Sequence, residues 1–140
     1  MEIKFTNIPA YYLNRDIFEQ RRKDMEDMFS KLNLKFTKIS SNTVLSPRQN
    51  GMSVDLITLI ETAIVANHYP FMIFEDDAQP FGTIPENIEY PDEAELIYYG
   101  SSLYNSGGKK PDLKLEIYDD NYYRIYYSLA GHAIMVCNES

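Results

Sequence analysis

The chain reads as an α/β domain: a mostly parallel sheet flanked by helices, with an antiparallel hairpin near the C-terminus. Three observations predict it. Strand-like segments at Ile8 to Leu13, Lys35 to Ser40 and Phe71 to Phe74 alternate with two amphipathic helical stretches, and parallel strands need such crossovers. Phe71-Met72-Ile73-Phe74 is apolar at every position, as a strand covered on both faces must be. Leu113 to Tyr118 and the tyrosine-rich Tyr122 to Ser128 flank Asp119-Asp120-Asn121, the order of a hairpin. The length of 140 residues and the 44% hydrophobic content suit one domain over residues 1–140 with its own core.

Along the chain, Pro9 belongs near the start of the first strand, because it cannot donate to a ladder. Asp16 and Glu19 have the spacing of a capping box, with Asn14 as the other candidate cap. In the helix that follows, Met25, Met28, Phe29 and Leu32 fall at i, i+3, i+4 and i+7 and form the core stripe. Asn33 stops it. The next strand sets Phe36 and Lys38 against Thr37 and Ile39. Residues 41–51 are turn-rich and polar and read as a loop. Ser53 then caps a second helix with Leu56, Ile57, Leu59, Ile60, Ala63 and Ile64 on a broad apolar face, ended by Pro70. Residues 80–95 have loop composition, Leu96 to Tyr99 is a short strand, and Ala130 to Cys137 is the closing strand.

Thirteen Lys and Arg against twenty-one Asp and Glu give a formal charge of -8, the wrong sign for gripping nucleic acid phosphates. The imbalance lies downstream: residues 1–38 carry eight basic and six acidic side chains, residues 39–140 five and fifteen. An anionic ligand therefore needs the first segment or a metal to neutralise it. Cys137 is the only cysteine, which excludes an internal disulfide and a thiolate metal cluster and suits a reducing compartment. There is no run long enough to span a bilayer and no basic leader before an apolar core, so the expected location is cytoplasmic.

The strongest chemical feature is Glu75-Asp76-Asp77 after the apolar strand. In extended geometry Glu75 and Asp77 point the same way and Asp76 the other. Two like charges at a strand mouth repel each other and resist desolvation, a cost that a hard divalent cation offsets. Carboxylate oxygens suit Mn²⁺ or Mg²⁺, and ligands of open α/β sheets gather beyond the carboxyl ends of the strands. The ordinary alternative is a solvated acidic turn.

Three segments carry a family resemblance. Tyr11-Tyr12-Leu13-Asn14-Arg15-Asp16 with Arg21-Arg22, Phe71 to Ala78 through Glu-Asp-Asp, and Gly131-His132-Ala133-Ile134-Met135-Val136 together resemble the glycosyltransferase family 25 group. These are lipopolysaccharide and collagen galactosyltransferase-like enzymes of GT-A type fold. The pieces recur in the family's order over nearly the whole chain, and only the second is moderately specific alone. The resemblance implies transfer of a hexose from a nucleotide-diphosphate sugar, a UDP-sugar by preference, to a saccharide or protein-linked glycan. It further implies Glu75 and Asp77 at metal and ribose, and Asn14, Asp16 and Arg21, with Leu13 beside them, along the nucleotide; Asp76, Asp77 and His132, the last approaching from the closing strand, are the expected catalytic set. Two departures favour a noncatalytic nucleotide-sugar or glycan binding module instead: Asp55-Leu56 replaces the family's Ser-His pair, and the chain stops at Ser140, where relatives continue. A receiver-type phosphotransfer domain expects a further strand-end aspartate and a placed lysine, for which no convincing arrangement is found.

Other candidates have ordinary structural readings beside the functional one. His132 suits a hydrogen-bonded core histidine, and Arg21 and Arg22 suit pairs with Asp24 and Glu26. His68 suits a helix end, and Cys137 a small buried hydrophobe. Tyr118, Tyr122, Tyr123, Tyr126 and Tyr127 offer sugar stacking or cross-strand packing. Gly107-Gly108-Lys109-Lys110 lacks the spacing of a phosphate loop.

Overall fold

The structure, a computed structural model, describes residues 1–45, 48–80, 82–102, 115–125 and 130–138, without the side chains at 48–50, 52, 100–102, 115, 124–125 and 130–132. Strand β1 (Glu2–Lys4) leads through a 3₁₀ turn to β2 (Ala10–Asn14), α1 (Glu19–Lys31), β3 (Phe36–Ser40), α2 (Arg48–Val65) and β4 (Phe71–Phe74). Then come β5 (Asn87–Glu89), β6 (Leu96–Ser102), β7 (Leu115–Ile117), β8 (Tyr123–Ile125) and β9 (Ala130–Val136). The central sheet has five strands in the order β3-β2-β4-β9-β6. Its β2–β3 and β2–β4 pairs are parallel, and β9 runs antiparallel to both β4 and β6. The sheet is therefore mixed rather than mostly parallel. The expected closing strand lies inside it, with β6 outside. None of the described helices is long and apolar enough to cross a membrane.

Strand alternation decides which helix each residue meets. Ala10 and Tyr12 of β2 and Met72 and Phe74 of β4 pack with Met25 and Phe29 of α1. Tyr11 and Phe71 pack with Leu59 and Ala63 of α2. One helix thus lies on each face, the layer order the sequence predicts. On the α1 face Phe29 is fully buried, with Tyr12, Phe36 and Phe74 rings at 5.4, 5.3 and 5.2 Å between centroids, within the favourable range for aromatic pairs.

Both helices end on an asparagine in the left-handed region, Asn33 at φ 54° and Asn67 at φ 52°. After α1, Leu34 N–H reaches the Phe29 carbonyl and Asn33 N–H that of Ser30. After α2, His68 N–H reaches Ala63 and Asn67 N–H reaches Ile64. These are the paired bonds of a Schellman stop, in which asparagine tolerates the conformation that glycine usually supplies. The second helix therefore ends at Val65, before Pro70 acts.

Several expectations need correction. Helix α1 starts at Glu19 with no side-chain cap, because Asp16 is engaged elsewhere. Helix α2 begins at Arg48, inside the expected loop, so Ser53 is a helical residue and no cap. Gly51 permits that start: a Cβ there would meet the Thr43 carbonyl oxygen at 2.2 Å. The broad apolar face of α2 is only partly covered, with Leu56, Ile57 and Ile64 remaining exposed. Residues 80–95 contain β5, which pairs antiparallel with β1. The hairpin is present as β7–β8, whereas Tyr126, Tyr127 and Gly107 to Lys110 lie outside the described residues.

Candidate functional site

The three segments behind the family resemblance fall on three adjacent strands. Asn14 ends β2, the acidic triplet follows β4, and His132 lies in β9 one residue before Ala133, which pairs with Phe74. Since β9 is antiparallel to β4, its beginning and the ends of β2 and β4 meet at one sheet edge. The His132 side chain lies outside the described residues, so only its backbone register places it there.

The triplet departs from extended geometry. Strand β4 ends at Phe74, and Ala78 N–H bonds the Glu75 carbonyl at 3.1 Å, closing a turn over residues 75–78. Alternation stops with the ladder, so the expected same-facing Glu75 and Asp77 cannot be deduced from it. Asp76, expected to oppose them, is the most enclosed of the three: its side chain is 14% exposed, while Glu75 and Asp77 are exposed residues.

Asp76 joins the first two segments. Asn14 Nδ2 donates to its Oδ2 at 2.9 Å and to the Phe18 carbonyl at 3.3 Å. Arg21 Nη1 donates to Oδ1 at 3.3 Å from the first turn of α1. The Arg21 guanidinium lies 4.7 Å from the centre of the Phe18 ring, and Arg15 5.7 Å from it, cation–π distances that fix Arg21 in place. Asn14 is 1% exposed, and its Oδ1 is a buried acceptor without a hydrogen-bond partner among the described residues. Asp76 is thus held by protein donors, which favours an anchoring role over the catalytic one expected. Phe18 was not singled out by sequence, where a lone aromatic beside a charged helix start carries no chemical signal.

The remaining expected ligands are distributed differently. Leu13 packs its side chain with the α2-face cluster, opposite to Asn14. Asp16 Oδ1 accepts from Lys38 Nζ at 2.7 Å and Ser40 Oγ at 3.2 Å, and Oδ2 accepts from Asn42 at 2.6 Å. The Lys38 ammonium foremost, then Asn42 and Ser40, hold the Asp16 carboxyl below its ordinary range. These donors come from β3 and the loop after it, so Asp16 ties the β3 edge and does not join the Asp76 group. Arg22 pairs with Glu26 at 2.8 Å, as its ordinary reading expects, and Glu26 accepts from Tyr12 Oη at 3.0 Å. Burial first, then Glu26, raises the Tyr12 phenol above its usual value. His68 Nδ1 lies 2.6 Å from Tyr11 Oη. Cys137 is buried, and burial pushes its thiol up to about 11, consistent with a packed hydrophobe.

Asp55, where the resemblance expects a Ser-His pair, is 6% exposed. It accepts from Ser41 Oγ at 3.1 Å, from Thr43 N–H at 3.2 Å and from the Thr43 hydroxyl. Its role is to hold the loop after β3 against α2. No three metal-binding side chains cluster among the described residues. The donors that fit Mn²⁺ or Mg²⁺ in kind are the Glu75 and Asp77 carboxylates, hard oxygens on a turn, which leave other positions of the ion to water and phosphate. Comparisons of the chain with protein-family models, curated proteins and solved structures give no match.

Proposed function

We propose that the chain is a metal-dependent glycosyltransferase of GT-A type that moves a hexose from a UDP-sugar to a saccharide or protein-linked glycan. One observation carries the reading: three segments far apart in sequence meet at one sheet edge, two of them joined through Asn14, Asp76 and Arg21. Asn14 and Arg21 hold Asp76, and Asp76 holds the turn that presents Glu75 and Asp77. Arg21 keeps a half-exposed guanidinium at that edge, with donors left for a diphosphate. Glu75 and Asp77 are the residues to hold Mn²⁺ or Mg²⁺, which when bound neutralises charge on the departing diphosphate.

Calorimetric titration of the chain with UDP, with and without Mn²⁺, tests this. Mn²⁺-dependent binding that falls at least about tenfold in Asp77→Ala, a loss of roughly 1.4 kcal/mol, is expected; no binding under either condition to the unaltered protein sinks the reading. A second reading, a noncatalytic nucleotide-sugar or glycan binding module, draws on each Asp76 oxygen being engaged by a protein donor and on Asp55 being engaged in a structural role. UDP-hexose hydrolysis that is lost in Asp77→Ala eliminates it.

A further inference from the structure

A second acidic surface adjoins the Asn14–Asp76–Arg21 group and shares Asp77 with the acidic turn. A groove runs between the turn after β4, the β5 and β6 region and the β7–β8 hairpin, with Phe74, Ile88 and Ile97 on its floor. Five carboxylate side chains line it, Glu2, Asp77, Glu89, Glu93 and Glu95, and no lysine, arginine or histidine does so among the described residues. One wall is tyrosine: Tyr99, Tyr118, Tyr122 and Tyr123. Their hydroxyls are partly committed, Tyr118 to Glu93 and Tyr122 to the Glu89 carbonyl. Three of the rings keep exposed surface, 42% of Tyr99, 39% of Tyr118 and 63% of Tyr123.

We infer that this groove docks a basic polypeptide segment of a partner protein. The charge is complementary, and a concave acidic surface with a low-dielectric floor focuses its field on a cation. Lysine and arginine side chains suit all three components. Their aliphatic stems lie on apolar floor, and their charged heads meet carboxylates at the rim. Tyrosine faces add cation–π attraction. An acidic segment meets like charge throughout, and a neutral one gains only the floor. The overall charge of -8 steers the same partner from a distance.

The inference goes beyond glycosyl transfer and does not depend on it. Asp77 lines both places, so it stays unaltered in the test. Fluorescence anisotropy of a labelled Lys-Ala repeat peptide of about ten residues, with Glu-Ala and Ser-Ala counterparts, measures binding to the full chain. Only the lysine peptide is expected to bind. The triple variant Glu89→Gln, Glu93→Gln, Glu95→Gln should weaken it at least about tenfold, and Tyr123→Ala about threefold. A control with the same change in net charge on the two helices, Asp24→Asn, Asp27→Asn, Glu61→Gln, should weaken it less than about twofold. Absence of binding by the lysine peptide, or equal weakening by both triple variants, overturns the proposal; equal weakening would mean that net charge alone attracts the peptide.

Discussion

The two faces of the central sheet are closed by different means. On the α1 face, Phe29 sits among three aromatic rings, and the buried cluster continues past the helix to Phe5, Ile88, Tyr90 and Ile97. On the α2 face Tyr11, Leu59, Ala63 and Phe71 are the cluster buried together among the described residues, and the helix leaves Ile57 and Val65 54% and 88% exposed. The polar devices differ as well. The α1 face ends in a charged group, Asp76 with Arg21, whereas α2 is tied by Asp55 to hydroxyl and amide donors. The better-packed face carries the proposed site, and rigid support is what an arrangement of placed charges requires.

Paired substitutions can break this contrast. Phe29→Ala should cost about 3–5 kcal/mol in urea unfolding, and Leu59→Ala about 2–3, the lower part of its usual range, because the smaller cluster has fewer partners to lose. Equal losses would erase the difference between the faces. Next in size, Asn14→Ala leaves the Phe18 carbonyl and Asp76 short of a donor and should cost about 1–3 kcal/mol. Asp55→Ala strands donors on Ser41 and Thr43 and should cost a similar amount, but only Asn14→Ala should also weaken UDP binding in the same titration.

The smallest effect concerns Asp16. Lys38 and its neighbours depress this carboxyl in the folded chain. The stability it contributes is present above its unfolded value, near 3.8, and is lost as pH falls through the lower folded value. Asp16→Asn should therefore reduce stability modestly at neutral pH and converge with the unaltered protein in acid. Urea midpoints at pH 7 and at about pH 3, below the ordinary range, check this.

The layer order was legible because strand alternation survives burial: Ala10-Tyr11-Tyr12 and Phe71-Met72-Ile73 each divide their side chains between the two helices. Elements with no such signal were lost. Strands β1 and β5 are three residues each, with a single apolar side chain at the centre of Glu2-Ile3-Lys4, too little to show a period. Gly51 was counted into the loop, although its missing Cβ is what lets the helix pass the Thr43 carbonyl. At the site, the triplet was recognised for its charge, but the roles within it depended on where the ladder stopped. A turn one residue past Phe74 enclosed the middle acid. Asp16 was misplaced for a related reason: its partners Lys38, Ser40 and Asn42 are more than twenty residues away.

The interior position of β9 has a consequence for biosynthesis. Among the described strands β6 bonds within the central sheet only to β9, and β9 follows all of them in the chain. Until then β4 and β6 each present an unsatisfied edge in the nascent chain, open to mispairing with other polypeptides. The edge that gathers Asn14, the acidic turn and His132 is thus completed only once β9 has been synthesised, after the other described strands and both described helices.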